Sequence, residues 1–188
     1  LDQDAPILTV NGDLDIWVAL GSSYTDSGAT AFDCTDGDLT GSIIVNSNVD
    51  VNAEGQYTVT YTVTDAAGNQ SQEVRNVTVA APPIADFTWT LLGNERVAFQ
   101  DLSSGFPTSW SWNFDNVSGS TQQNPTADFG APGFDGSGEY TVRLTASNPI
   151  GNGSKDTVVL VPTAINDIEF ANSIGIYPNP ATSFINVD

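Results

Sequence analysis

The chain has 188 residues, with 23 acidic against 4 basic side chains, no histidine, one cysteine and a formal net charge of −19. Such a surface repels nucleic acid and anionic lipid, and no apolar run approaches the roughly 20 residues that a membrane-spanning helix needs. Without histidine or a second cysteine there is no Ser-His dyad, imidazole base, zinc cluster or intrachain disulfide, so carboxylates are the groups left to carry chemistry.

Hydrophobic residues make up 39%, with 17 Gly and 10 Pro, and Thr, Val and Ser recur. That mixture favours strands and turns and predicts an all-β protein. ILTV (7–10) and IWVAL (16–20) are short apolar runs parted by the turn-like NGDLD, as in a first strand that stops and resumes. QYTVTYTVT (56–64) sets Tyr57, Val59, Tyr61 and Val63 on one face and threonines on the other, the alternation of a half-buried antiparallel strand. DAAGN (65–69) supplies turn residues, and EVRNVTVA (73–80) alternates again, predicting a hairpin. Two prolines in AAPP cannot continue a ladder, so a first domain of 1–80 and a linker at 81–83 are expected.

A second domain is expected over 84–162. ADFTWT puts Phe87 and Trp89 on one face, RVAFQDLS follows, and SWSWNF aligns Trp110, Trp112 and Phe114. A Gly-, Asn- and Asp-rich loop (115–138) leads to EYTVRLTAS, with Tyr140, Val142, Leu144 and Ala146 on one face, and NPIGNG turns the chain into KDTVVLVP. Each domain closes with a turn-linked strand pair about 80 residues after the last, the pattern of two tandem immunoglobulin-like β-sandwiches without the antibody cysteine pair. Residues 163–188 read as a linker and the first strand of a further, truncated β module. There Pro178 and Pro180 bracket Asn179 after Tyr177, before an alternating run at Phe184, Ile185 and Val187.

Three resemblances sharpen this organisation. DAPILTVNGD, YTDSGATAFDCTDGDLTGSI and GQYTVTYTVTDAAGNQS, over roughly residues 2–80, resemble bacterial Ig-like modules found in tandem on secreted and surface proteins. ADFTWT, VAFQDLSS, SWSWNF, NPTADF and GEYTVRLTASNPIG are similar to polycystic-kidney-disease (PKD) type sandwiches. That family usually carries WDFGDG where this chain has WNFDNV from Trp112, so a metal or ligand role does not carry over from that turn. NSIGIYPNPATSFINVD resembles the start of the C-terminal sorting domain of the type IX secretion system of Bacteroidetes. That resemblance implies a sorting signal at Tyr177, Pro178, Asn179 and Pro180 and the type IX machinery as a partner.

In an Ig-like sandwich the chain start, the loop after the second strand and the final hairpin meet at one pole. Asp2 and Asp4, the loop residues Asp33, Asp36 and Asp38, and Asp65 with Asn69 are therefore expected to converge. So many carboxylates repel one another unless a cation intervenes, and Ca²⁺ takes six to eight oxygen ligands from such loops. Similar modules with TDAAGN and DGD loops use calcium at their junctions, which is what the resemblance implies here. Alternatively, the Asp and Asn side chains only satisfy turn backbones, and DCTDGD does not have the spacing of an EF-hand loop.

The tryptophans at 89, 110 and 112 with Phe87 read as inner-face core, with a carbohydrate-stacking platform or a protein-binding patch as the rival readings; Trp17 allows exposure. Cys34, beside acidic neighbours, is not expected to be reactive. Asp156-Thr157-Val158 resembles a short O-glycosylation motif of exported Bacteroidetes proteins, three residues that also match by chance. The expected function is a non-catalytic spacer or adhesive stalk of a larger extracellular protein, exported by the type IX system, secreted or attached to the cell surface, and stiffened by calcium where the acidic pole holds it. The alternatives are a polysaccharide- or protein-binding accessory module of a secreted hydrolase, and an enzyme built on two close carboxylates in a cleft.

Overall fold

A computed structural model describes residues 2–162. Two β-sandwiches follow one another along the chain, each of a three- and a four-stranded sheet. In the first, β1 (Ile7–Val10) pairs antiparallel with β3 (Ala29–Asp33), which also pairs with the two-residue β4 (Gly37–Asp38). β2 (Asp15–Ala19) crosses to the other sheet and runs parallel to β7 (Gln70–Ala80); β7 pairs with β6 (Gly55–Thr64), and β6 with the edge strand β5 (Ile44–Ser47). The predicted interruption at NGDLD is thus a change of sheet, with Gly12 at φ +81 in the left-handed region that glycine adopts without strain.

The strongest alternation in the sequence forms the longest hairpin. Thr64 pairs with Gln70 across the DAAGN turn, where Asp65 N donates to Asn69 O at 3.0 Å and Gly68 takes φ +96. Val59, Tyr61 and Val63 point inward and are buried, as are Val77 and Val79 on β7, while the threonines lie on the other face. The core that results is small: Val18, Val59, Tyr61, Val77 and Val79, flanked by half-buried Leu8, Val10, Ile16 and Tyr57.

In the second sandwich β8 (Phe87–Gly93) pairs with β9 (Arg96–Asp101), and β9 with β12 (Thr126–Asp128). The facing sheet is ordered β11 (Ser118–Ser120), β10 (Ser109–Phe114), β13 (Glu139–Asn148), β14 (Gly151–Leu160). Its interior is aromatic. Phe87 meets Trp112 edge-on with centroids 5.1 Å apart, Phe99 lies 5.3 Å from Phe114, and Phe129 stacks on Tyr140 at 4.7 Å. The stretch 115–138 is not all loop: it contributes β11, β12 and the buried Phe129. Three-residue strands show no readable alternation, which is why the pattern concealed them.

Trp112 and Phe87 occupy the core as predicted, at 2% and 4% exposure. Trp110 is half-buried, its indole N–H donating to Asp101 Oδ2 at 2.7 Å. Trp89 departs from its expected core place and is 36% exposed, because β8 is an edge strand and its outer end has no covering neighbour among the described residues. Trp17 is half-buried in β2.

Candidate metal centre

The acidic pole lies where the incoming chain, the β3–β4 turn and the β6–β7 turn meet. Carboxylate oxygens of Asp2, Asp33 and Asp65 lie within 4.8 Å of one another. Asp33 ends β3, and its Oδ1 accepts from Thr35 N at 2.7 Å and Asp36 N at 2.9 Å, which folds the CTDG turn around it. Asp65 closes β6. Its Oδ1 accepts from Asn69 N and its Oδ2 from Asn69 Nδ2, both at 2.7 Å. Asp33 is 2% and Asp65 7% exposed, an unusual place for carboxylates.

Burial pushes the Asp65 carboxyl up, but the hydrogen bonds from the Asn69 side chain and backbone, Gly68 and Ala67 outweigh it and leave the group below its ordinary value. It therefore stays charged beside Asp2 and Asp33. Asp2 Oδ1 accepts from Asp4 N at 3.1 Å, whereas Asp2 Oδ2 is shut off from solvent with no hydrogen-bond donor among the described residues. An ionised oxygen so placed loses its hydration without replacement, and a cation is what would restore it. No basic side chain does so among the described residues: the ion pairs there are Arg75–Asp26, Arg143–Asp156 and Lys155–Asp86.

The remaining expected residues divide. Asn69 Nδ2 also donates to the Asp4 carbonyl at 3.1 Å, tying the incoming chain to the turn, and Asp36 Oδ2 accepts from Ala66 N at 2.8 Å. Those two contacts hold the three segments together without joining the cluster of carboxylates. Asp4 Oδ2 lies 4.0 Å from the exposed Cys34 Sγ. Asp38 turns away and accepts from Thr40 N at 2.9 Å; hydrogen bonds from the Thr40 hydroxyl and backbone hold its carboxyl below the ordinary range. The all-oxygen donor set fits a hard divalent cation. Tyr177, Pro178, Asn179 and Pro180 lie outside the described residues.

A second charged group in the same sandwich escaped the sequence reading. Arg75 is 2% exposed, its Nη1 bonded to Asp26 Oδ2 at 2.5 Å and to Tyr61 Oη at 3.0 Å. Its Nε donates to Asp13 O at 3.0 Å and its Nη2 to Asn11 O, so the guanidinium fastens the segment where the chain changes sheets. Burial would raise the Asp26 carboxyl, yet hydrogen bonds from Tyr24, Tyr61, Gly28 and Arg75 bring it down to about 2. The signal was available: Arg75 shares the parity of Val77 and Val79 and so had to face inward.

Residues 8–79 match the family described as bacterial surface protein, Ig-like domain, and residues 83–161 match the PKD domain. The chain thus carries a bacterial surface Ig-like domain followed by a PKD domain. Comparison with curated proteins gave no match. Among solved structures it is similar to the PKD1 domain of Vibrio anguillarum Epp, at 25% identity over 44% of this chain and 99% of that one, TM-score 0.35. It is similar also to a lipoprotein of Bacteroides thetaiotaomicron, at 18% identity over 82% and 99%, TM-score 0.38. A third is the CBM51-2 and INT domains of Clostridium perfringens ZmpB in complex with GlcNAc, at 16% identity, TM-score 0.35. There the match covers 86% of this chain and 44% of that one.

Proposed function

We propose that the two sandwiches are a non-catalytic spacer or adhesive stalk in a larger extracellular protein, secreted or held on a bacterial surface. The observation that carries this is the pairing of a bacterial surface Ig-like domain with a PKD domain whose rings are spent on its own core. A stacking platform for polysaccharide needs those rings outside, and Phe87, Phe99, Trp112, Phe114 and Phe129 are all inside. A second reading, an accessory module that grips polysaccharide or protein, draws support from the exposed Trp89, Leu91 and Leu92 on the edge strand β8. Pull-down on insoluble polysaccharides decides between them: retention lost in Trp89→Ala favours the module, and no retention favours the spacer.

Calcium belongs to this proposal as the ion held by Asp2, Asp33 and Asp65. It would neutralise the three carboxylates and tie the incoming chain to the two turns of the pole. Saturable heat on titrating calcium into the metal-stripped protein, with a rise in Tm that Asp65→Asn abolishes, is expected. An isothermal trace without heat and an unchanged melting curve in excess chelator would overturn it. Export through the type IX machinery rests on the resemblance of the chain's last residues to the sorting domain. It predicts that deleting everything beyond Val161 from the full-length protein stops its appearance outside a type IX host, and normal export of that deletion refutes it.

A further inference from the structure

The acidic pole and the linker lie at opposite ends of the first sandwich. β7 leaves Gln70 next to the pole and reaches Ala80 at the linker, a span of about 33 Å at the usual rise per residue. A cation at the pole therefore cannot stiffen the joint between the two sandwiches, and the contacts at that joint show what does.

On the Ig-like side, Leu20 N donates to Ala80 O at 2.9 Å, and Glu54 Oε1 accepts from Ala81 N at 2.9 Å. On the PKD side the Asn148 carboxamide is 8% exposed and fully used. Its Nδ2 donates to Ala81 O and to Gly105 O, both at 2.9 Å, while its Oδ1 accepts from Ile150 N and Gly151 N. Both polar groups of the Ala81 backbone are thereby held, its N–H by one domain and its carbonyl by the other.

The prolines are seated on glycines. A Cβ on Gly153 would stand 2.0 Å from Pro83 O, one on Gly151 would stand 3.1 Å from Pro82 Cγ, and one on Gly105 would stand 3.2 Å from Pro83 Cα. At Gly153 no side chain fits, while at Gly151 and Gly105 a Cβ would press on the prolines, and Gly105 also takes φ +82. Ile84 and Ser104 then exchange backbone hydrogen bonds of 3.1 Å, continuing the strap into the PKD sandwich.

We infer that Ala81–Pro83 is a locked joint, clamped between Glu54 and Asn148 and seated on Gly105, Gly151 and Gly153, so that the two sandwiches move as one body without metal. Proline fixes φ and leaves no N–H at two of the three linker positions, so the clamp has one backbone N–H to satisfy and Glu54 satisfies it. The inference goes beyond the spacer reading and stands whether or not the pole binds calcium.

The test is a double electron–electron resonance measurement on the chain in a Cys34→Ser background. Spin labels go at Val45→Cys on β5 and Val158→Cys on β14, both exposed. One narrow distance distribution, the same with chelator as without, is expected. Glu54→Ala with Asn148→Ala should widen it at least twofold while both thermal transitions persist; should Asn148→Ala unfold its domain, Glu54→Ala alone, on an exposed loop, carries the test. A broad distribution in the unsubstituted joint overturns the inference. So does a width that no clamp variant changes, and so does broadening that appears only on chelation, which would give the joint to the metal.

Discussion

The two sandwiches share an architecture and fill it by different means. The PKD domain has a continuous network of rings, with Phe87, Phe99, Trp112, Phe114, Phe129 and Tyr140 in mutual contact and no buried ion pair among its described residues. The Ig-like domain has few large apolar residues inside, and beside them a buried guanidinium meets a half-buried carboxylate and two tyrosine hydroxyls. An interior close-packed with rings is held by burial and dispersion, which are insensitive to pH. An interior built on Arg75 and Asp26 is held only while both are charged and bonded, since a buried ion is costly once its partner goes. One fold thus tolerates either kind of interior, each with its own vulnerability.

Calorimetry with two resolvable transitions can break that contrast, starting with the largest effect. Trp112→Ala should cost the PKD domain about 3–5 kcal/mol, through lost burial and the cavity left behind, without moving the Ig-like transition. Arg75→Ala should cost the Ig-like domain about 3 kcal/mol, because Asp26 would remain among the tyrosines without its cation. Equal losses in both domains from either substitution would show one cooperative unit instead of two.

Acid separates the domains next. The folded Asp26 carboxyl lies at about 2, below its ordinary value of 3.8, so its contribution is complete above about pH 4 and lost as the pH falls through 2. Over that interval Asp26 should cost the Ig-like transition about 2 kcal/mol, and Asp26→Asn should remove that share while leaving what the depressed Asp38 and Asp65 carboxyls add. The PKD transition should fall less, since its depressed carboxyls, Asp86, Asp135 and Asp156, sit at the surface. Tyr24 donates to the ionised Asp26 Oδ2 at 2.5 Å, and Tyr24→Phe should cost about 1.5 kcal/mol, the low end for a hydrogen bond to a charged group. The smallest effect is expected at Asp156. Its bidentate pair with Arg143, at 2.6 and 2.7 Å, is exposed on the outer face of β13 and β14, and Asp156→Asn should leave both transitions where they are.

The long hairpins were legible because ten-residue strands repeat the period of two often enough to fix which face is buried. β4, β11 and β12 were not, being two or three residues long. The convergence of Asp33 and Asp65 followed from recognising a sandwich, whereas the separation of Asp38 from them did not. Asp38 and Asp33 sit on neighbouring strands, but the register pairs Asp38 with Phe32 and Asp33 with Gly37, so the two carboxylates point to opposite faces of the sheet.

By itself the sequence determined the all-β class, the two tandem domains and the inner faces of their longest strands, because alternation and turn residues act locally along the chain. It also determined that carboxylates would outnumber the cations available to pair with them. The tertiary structure alone decided that Asp2 Oδ2 finds no donor among the described residues, that Arg75 reaches Asp26 and the carbonyls of Asn11 and Asp13, and that Ala81 is gripped from both sides. The partners in those contacts are from 27 to 67 residues apart, the short Asp2 hydrogen bond to Asp4 excepted. No periodicity encodes such a meeting; it follows from how the sheets stack and where the loops between them end.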